Sequence, residues 1–176
     1  MKPEIQKKSE MYKVFNDIIL KNEIIIFGST FAANFPFYEL AKKYLLSNAL
    51  YNRSIDNLTV DDAGKILDEC VLNAKPSKIF YALGEYDIKD NGTINQYKKI
   101  LERTKSALPH CVIYVLSVCS TDKTSTDFNL SLKNLCTITN TNFISIDYTT
   151  PCDSIFKQLT PFFRSRKIDF AEALMV

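Results

Sequence analysis

The sequence contains very little glycine and histidine and no tryptophan: four glycines and one histidine, His110, in 176 residues. Four scattered glycines exclude the glycine-rich loops that bind phosphate groups. No apolar run approaches the roughly 20 residues that a membrane-spanning helix requires. The first residues, Met1–Gln6, are polar and lack the apolar segment of a secretory signal. We therefore expect neither a phosphate loop, nor a membrane span, nor a signal peptide.

The chain also lacks a strong net charge and any regular spacing of cysteines. A formal charge of +2 gives no reason to expect nucleic acid or an acidic membrane as partner. The spacing of the cysteines is not that of metal ligands or of a disulfide framework. We expect reduced thiols, no metal, no cofactor and a cytoplasmic protein whose partner is an unidentified small molecule or protein. The five cysteines are Cys70, Cys111, Cys119, Cys136 and Cys152.

One stretch near the start has the composition of a central strand and a possible site. Glu23–Phe27 is followed by Gly28, Ser29 and Thr30, so that a continuous apolar run ends in glycine and two hydroxyl residues. In doubly wound α/β proteins this position, before a helix, is where ligands bind. The alternative is purely structural: Gly28 relieves the turn and the two hydroxyls cap the next helix.

Further apolar runs alternate with amphipathic helical patterns along the whole chain. This alternation predicts an α/β fold, a three-layer α/β/α sandwich of about five parallel strands in the order 2-1-3-4-5, with residues 22–176 forming one domain. The strands are predicted at Glu23–Phe27, 49–52, 78–83, 111–118 and 142–146. The helices are predicted at 36–47, 60–73, 94–107, 127–139, 154–159 and 169–174.

Residues 1–21 precede this domain and contain a predicted amphipathic helix over 9–21, with Ser9 as N-cap. Five apolar residues recur at the spacing of one helix face. Such a face is too broad to remain in water, so we expect it to be buried against the sheet or in a homodimer. The five residues are Met11, Val14, Phe15, Ile18 and Ile19.

Polar residues follow the predicted strands at their carboxyl ends. Because parallel strands place these ends at one edge of the sheet, the residues should converge there, and His110 should lie at the opposite edge. They are Ser29 and Thr30 after the first strand, Ser54 after the second, Glu85, Tyr86 and Asp87 after the third, Cys119 and Ser120 after the fourth, and Asp147 after the last.

These positions resemble the sequence blocks of the SGNH, or GDSL-type, hydrolases between Glu23 and Asp147. The segment 26–30, Ile-Phe-Gly-Ser-Thr, is similar to the apolar strand followed by Gly-Asp-Ser. The segment 51–55, Tyr-Asn-Arg-Ser-Ile, is similar to Asn-x-Gly, and 82–87, Ala-Leu-Gly-Glu-Tyr-Asp, is similar to Gly-x-Asn-Asp. Leu108-Pro109 before the strand 112–118 resembles the helix-to-strand junction that comes next in the family.

The resemblance implies an ester hydrolase with a serine nucleophile, a histidine base and an oxyanion hole. It places Thr30 at the nucleophile, Ser29 at the neighbouring aspartate, and Ser54 and Tyr86 at oxyanion-hole positions. The final Asp-x-x-His block is absent, because Asp153 has Phe156 three residues later. His110 cannot replace the missing base, since its strand separates it from Thr30 by about 20 Å.

Three further groups have both a functional and a structural interpretation. Glu85 and Asp87 could bind a cation or act as general acid and base, or Asp87 could order its loop while Glu85 faces solvent. Arg53 could attract an anionic ligand, or form part of a solvated surface. The same two interpretations apply to the basic stretch Arg164–Lys167.

Three hypotheses of function follow from these residues. The first is an SGNH-like protein whose hydrolytic site is degraded and which acts as a binding or interaction module. The second is an active acyl-ester hydrolase that uses Ser29 or Thr30 with an unconventional base. The third, a flavodoxin-like flavin-binding domain, lacks the glycine- and hydroxyl-rich loop that would surround a phosphate after the first strand.

Overall fold

The fold centres on a parallel sheet of five strands in the order β2-β1-β3-β4-β5. A computed structural model of the chain describes residues 1–90 and 92–164. The predicted fold class and strand order are confirmed. The strands are β1 (Ile24–Gly28), β2 (Leu50–Asn52), β3 (Lys78–Ala82), β4 (Val112–Leu116) and β5 (Asn142–Ile144).

The two central strands, β1 and β3, pair along their full length, from Ile24 opposite Lys78 to Gly28 opposite Ala82. Every residue of both strands is buried. A parallel sheet requires helices on both faces, which explains why these strands are apolar throughout rather than alternating. Their shared carboxyl end sets the position of the residues described below.

Helices cover the sheet on both faces, and each face has its own apolar core. Ile25 and Phe27 of β1 contribute to the core under α1 and α4–α7, while Ile24 and Ile26 contribute to the core under α2, α3 and α8. The helices are α1 (Pro3–Phe15), α2 (Thr30–Asn34), α3 (Phe37–Lys43), α4 (Val60–Lys65), α5 (Leu67–Cys70), α6 (Thr93–Ala107), α7 (Lys123–Thr139) and α8 (Cys152–Arg164).

Several predicted helix boundaries are wrong. The helix expected over 36–47 ends at Lys43, and Leu45, two residues later, is 84% exposed with a positive φ of 49°. The helix expected over 60–73 is divided into α4, α5 and a 3-10 turn at Leu72–Ala74. The helix expected at 169–174 lies outside the described residues.

The predicted N-terminal helix forms, but with different bounds and a different buried face. It begins at Pro3 and ends at Phe15, and it buries Ile5, Ser9 and Tyr12 against the protein. The prediction that the other face is buried against the sheet is wrong, because Val14 and Ile18 are 67% and 77% exposed. Helical periodicity identified one apolar face of the helix. The face that packs against the protein is a different one, and its polar atoms form hydrogen bonds with the residues beneath it.

Tyr12 explains this choice of face. Its hydroxyl donates to the Ser54 carbonyl oxygen at 3.2 Å, and its own carbonyl oxygen accepts from Arg53 Nη1 at 3.1 Å. Asn16, just after the helix, donates from Nδ2 to the Glu69 carbonyl oxygen at 2.8 Å. Burial without such partners would carry a desolvation cost for each polar group. No helix within the described ranges is long and apolar enough to cross a membrane.

Candidate functional site

Thr30 lies at the carboxyl edge of the sheet, where β1 ends and α2 begins. Its hydroxyl donates to Asp56 Oδ1, accepts the Asn57 backbone N–H at 3.0 Å, and lies 2.7 Å from the Tyr86 hydroxyl. A threonine hydroxyl has one proton and two acceptor positions. Because the proton goes to Asp56, Tyr86 must be the donor in its contact with Thr30. The hydrogen-bonding capacity of the Thr30 hydroxyl is therefore filled by the protein itself.

Glu85 is the second polar group beside α2. It is partly exposed, and its carboxylate also forms a hydrogen bond within the protein. Its Oε1 accepts the Phe31 backbone N–H at 3.1 Å, at the first turn of the helix. The Phe31 ring meets the ring of Tyr148 edge-on, with centroids 4.9 Å apart. Burial raises the pKa of Tyr148, and the nearby Glu85 carboxylate adds to the effect.

Ser54 and Ser29 are both buried beneath the residues around Thr30. The Ser54 backbone N–H donates to Asn52 Oδ1 at 3.0 Å, so the amide is occupied within its own loop. Ser29 is fully buried, and its backbone N–H donates to the Ala82 carbonyl oxygen at 2.9 Å. The Ser29 hydroxyl is therefore not exposed to solvent, and the role of Ser29 as a nucleophile, kept as an alternative on sequence grounds, stays a prediction.

Asp87 lies at the same carboxyl edge of the sheet, where it forms hydrogen bonds that hold the neighbouring helices. Its Oδ2 accepts the Val60 backbone N–H at 2.7 Å, which satisfies an N-terminal amide of α4, and its carbonyl oxygen accepts from Thr93 Oγ1 at 2.6 Å. Burial raises the pKa of the Asp87 carboxyl. These contacts agree with the interpretation of Asp87 as a loop anchor, and the alternative role with Glu85, in cation binding or general acid–base chemistry, stays a prediction.

Arg53 is buried rather than part of a solvated surface. It is 2% exposed, and its guanidinium lies over the Tyr12 ring, 4.8 Å from the centroid. Burial lowers the pKa of the Arg53 side chain. The interpretation of Arg53 as part of a solvated surface is therefore wrong, because the residue is buried beneath α1, and its attraction of an anionic ligand stays a prediction. Arg164, of the basic stretch, donates from Nη2 to the Tyr44 carbonyl oxygen at 2.7 Å, and 165–167 lie outside the described residues.

His110 lies at the opposite edge of the sheet, in the connection between α6 and β4. It lines an open groove with residues that precede β1 and β3, such as Asn22 and Ser77. This is the location that the parallel topology predicts. Since the sequence has no other histidine, no imidazole reaches Thr30 in this fold.

The sequence analysis missed Asp56, Asn57 and Tyr148. Asp56 follows the segment that resembles the second hydrolase block by one residue, and an acidic residue in a loop at a carboxyl edge was the available signal. Asn57 has a positive φ of 57°, which its short polar side chain tolerates and which turns the loop toward Thr30. Nothing in the sequence indicates that Tyr148 folds back against Phe31.

No known family profile matches the chain, and no curated protein matches it in sequence. Solved structures do match. A protein of Streptococcus pneumonia, provisionally described as a platelet activating factor, superposes with a TM-score of 0.79 at 19% identity, covering 91% of this chain and 92% of its own. A GDSL-like lipase from Bacteroides thetaiotaomicron VPI-5482 gives a TM-score of 0.65 at 11% identity, with 88% and 97% covered.

The psychrotrophic esterase EstA from Pseudoalteromonas sp. has a TM-score of 0.62 at 17% identity, with 82% of this chain and 93% of the esterase covered. The chain has the SGNH/GDSL hydrolase fold. At these identities the likeness concerns the fold, and the chemistry has to be argued from this chain's own residues.

At the position that the resemblance assigns to the nucleophile, the Thr30 hydroxyl is bonded to a carboxylate, a phenol and an amide. At the two positions that it assigns to the oxyanion hole, the Ser54 amide bonds Asn52 and the Tyr86 hydroxyl bonds Thr30. The described residues include no cluster of three or more histidine, cysteine or acidic side chains that could hold a metal ion. Each SGNH position is thus filled by a group that interacts within the protein.

The segment with the spacing of the last SGNH block, Asp153 to Phe156, lies at the start of α8. Phe156 is fully buried and its ring is stacked on Tyr44, with centroids 5.7 Å apart. Asp153 pairs with Lys43 at 2.5 Å and Lys157 at 3.2 Å. The segment therefore joins α3 to α8, and the structure gives it no contact with Thr30.

The ion pairs of Asp153 predict a pH-dependent contribution to stability. Hydrogen bonds from Lys43 and Tyr44 lower the pKa of the Asp153 carboxyl below its ordinary value of 3.8. A carboxyl whose folded pKa is depressed stabilises the protein above its unfolded pKa and loses that contribution as pH falls through the folded pKa. Asp153→Asn should therefore lower Tm near neutral pH, and the difference from wild type should shrink below about pH 4.

Asp127→Asn is the matched control, because Asp127 is exposed on α7 and forms no ion pair with any described residue. Its Tm should follow that of wild type at every pH. Thermal unfolding followed by circular dichroism, with and without added salt, measures both. A difference between Asp153→Asn and wild type that persists unchanged at the lowest pH would contradict the ionic explanation.

Proposed function

We propose that this chain is an SGNH-like protein whose carboxyl-edge site binds a small molecule or a protein partner without hydrolysing esters. The observation that carries the proposal is the set of contacts around the Thr30 hydroxyl, which is occupied by Asp56, Asn57 and Tyr86 and has no imidazole within reach. A serine-type nucleophile requires an adjacent base to remove its proton. Loss of that base costs on the order of a millionfold in turnover.

Asp56 is a poor substitute for the absent histidine. Carboxylates in general are weaker bases than a neutral imidazole. Threonine adds a methyl group that restricts χ1 and crowds the line of attack. Both features support an interpretation of the Thr30–Asp56 bond as a structural contact that joins α2 to the loop after β2.

The donors at the positions that the resemblance assigns to the oxyanion hole are also occupied. The Ser54 N–H bonds Asn52 Oδ1, and the Tyr86 hydroxyl bonds Thr30 Oγ1. A developing oxyanion would have to displace these acceptors. Preorganised, unoccupied donors are the largest catalytic contribution in this kind of site, so their occupation supports binding without turnover.

The surface that remains accessible suits binding. Tyr86 is 48% exposed and Asp56 is exposed beside it, while Phe31 and Tyr148 are partly exposed next to them. Aromatic faces combined with hydroxyl, amide and carboxylate groups are typical of contact surfaces for polar ligands and protein segments. The five cysteines are free thiols, which supports our proposal of a reducing, cytoplasmic environment.

Hydrolysis of p-nitrophenyl acetate tests the proposal. We expect turnover close to the uncatalysed rate for wild type, Thr30→Ala and Thr30→Ser, because a hydroxyl without a base remains a poor nucleophile. Weak activity, up to about a thousandfold over water, can arise from binding and residual donors alone. Robust, saturable hydrolysis that Thr30→Ala abolishes would overturn the proposal.

A second candidate function is supported by the hydrogen bond from Thr30 to Asp56. It is an acyl-ester hydrolase in which Asp56 accepts the Thr30 proton as Thr30 Oγ1 bonds to the acyl carbon, and returns it to the departing alcohol. The water that releases the acyl group would transfer its proton by the same route. This candidate predicts saturable hydrolysis that both Asp56→Asn and Thr30→Ala abolish, and covalent labelling of Thr30 by a fluorophosphonate.

A further inference from the structure

A groove opens at the amino edge of the sheet, beside the residues that lead into β1, β3 and β4. It has a volume of about 660 Å³, and it lies at the end of the sheet opposite to Thr30. Its lining is mostly apolar, and we call it the amino-edge groove. The lining residues include Leu72, Lys75, Ser77, Leu108, His110 and Cys111.

Helix α8 ends at the same edge of the sheet. Lys78, the first residue of β3, is buried, and its Nζ donates to the carbonyl oxygens of Phe162 and Phe163 at 3.1 and 2.7 Å. These two bonds satisfy carbonyls that the last turn of a helix leaves without an intrahelical partner. Arg164 Nη2 donates to the Tyr44 carbonyl oxygen at 2.7 Å and joins the end of α8 to the end of α3. The point at which the chain leaves α8 is therefore fixed at the amino edge.

We propose that residues 168–174 of the same chain, which follow α8 and lie outside the described residues, occupy the amino-edge groove. Ser77 lines the groove and directly precedes Lys78, so the groove begins one residue from the contact that holds the end of α8. Residues 165–167 reach about 10 Å when extended, whereas neighbouring strands are about 4.8 Å apart. The connection is therefore long enough for the segment to enter the groove.

The composition of residues 168–174 matches that of the groove. Their sequence, Ile-Asp-Phe-Ala-Glu-Ala-Leu, combines apolar side chains, which suit the apolar lining, with two acidic ones. The acidic side chains complement Lys75, which is exposed and forms no ion pair with any residue that the structure describes. Asp68, an acidic residue of the lining, is paired with Arg103 at 2.5 Å and leaves the charge of Lys75 uncompensated. Apolar contact and charge therefore favour the same occupant.

A small molecule and a second copy of the chain are the competing occupants. Small ligands of parallel α/β sheets bind at the carboxyl ends of the strands, whereas this groove lies at the amino ends. The same segment of a second copy has the same chemistry, but a segment on a short tether acts at an effective concentration on the order of millimolar. The chain's own segment is thus favoured. The inference does not depend on the proposed function, because Thr30 and its partners lie at the opposite edge.

Thiol cross-linking of the full chain tests this placement. In Ala171→Cys, a short bifunctional maleimide should join the introduced thiol to Cys111, which lines the groove. Cys119 and Cys152 are exposed thiols beyond the carboxyl ends of β4 and β5, and they serve as internal controls that should not be joined to it. A mixture of isotopically labelled and unlabelled chains distinguishes a link within one chain from a link between copies. Absence of the Cys111 link, or a link formed only between copies, would overturn the proposal.

The rate of Cys111 alkylation by iodoacetamide, measured by mass spectrometry relative to Cys119, gives an independent test. Phe170→Asp should raise this rate about tenfold, because loss of the apolar contact opens the groove locally. Ser165→Asp is the matched control, since it adds the same charge outside residues 168–174, and its rate should equal that of wild type. Equal rates in Phe170→Asp and wild type, or an equal rise in both variants, would contradict the proposal. Cys70 is buried and should remain unreactive in both variants; if it reacts, the cross-link alone decides.

Discussion

Gly28→Ala should destabilise the protein by about 3 kcal/mol or more, which corresponds to a fall in Tm of about 6–12 °C. A Cβ atom at this position would lie 2.5 Å from the Ala82 carbonyl oxygen, 2.7 Å from Ala82 Cβ and 3.0 Å from Ala32 Cβ. The carbonyl oxygen cannot withdraw, because β1 and β3 are paired there and the Ser29 N–H is bonded to it. Relief of the clash requires separation of the two central strands.

Gly64→Ala is the matched control. Gly64 lies in α4, where the nearest atom to an added Cβ is Ile100 Cγ1 at 3.8 Å. Alanine has the higher helix propensity, so this variant should gain up to about 1 kcal/mol. Denaturant unfolding measures both changes, and equal stability of Gly28→Ala and wild type would show that the edge of the sheet is far more plastic than its packing indicates.

Deletion of residues 1–21 should lower the stability of the domain by about 3–6 kcal/mol or produce aggregation. The deletion removes Ile5 and Tyr12 from the core, each with a burial contribution of about 1.5–3 kcal/mol. The deletion also exposes Arg53 and Cys70 to water. Both are buried in the intact protein, and this burial lowers the pKa of Arg53 and raises the pKa of the Cys70 thiol to about 12. Denaturant unfolding and light scattering measure the outcome.

Point variants distinguish the contribution of the buried face of α1 to stability from that of its exposed face. Tyr12→Ala should reproduce much of the deletion's effect, because it removes the ring beneath Arg53 and the hydrogen bond to Ser54. Lys8→Ala, on the exposed side of α1, should change stability by no more than about 0.5 kcal/mol. A truncated chain as stable and monodisperse as wild type would show that α1 is not part of the folded unit.

The SGNH-like fold and the absence of ester hydrolysis rest on different observations. The fold rests on the strand order and on solved structures that superpose over most of the chain. The absence of hydrolysis is our proposal, and it rests on the contacts of Thr30, Ser54 and Tyr86. The esterase assay therefore tests the proposal alone, and either outcome leaves the fold unchanged.

The sequence by itself determined the architecture, because apolar runs that alternate with amphipathic helices admit few arrangements other than a parallel sheet covered on both faces. It also placed Thr30, Glu85 and Tyr86 at one edge and His110 at the other, since strand direction alone decides which loops share an edge. The hydroxyl after β1 and the missing histidine were visible as residue types at fixed positions. These are consequences of local pattern and connectivity.

The tertiary structure alone decided which groups meet within that edge and which helix face is buried. The contact of Thr30 with Asp56 depends on the path of a loop that the positive φ of Asn57 bends, and periodicity contains no such information. The contacts between Arg53 and Tyr12 decided which face of α1 is buried, although the sequence pattern favoured the other, apolar face. Such polar contacts form only when the helix and the loop beneath it are both folded. Side-chain partnership between segments distant in sequence is a property of packing, and only the folded chain specifies it.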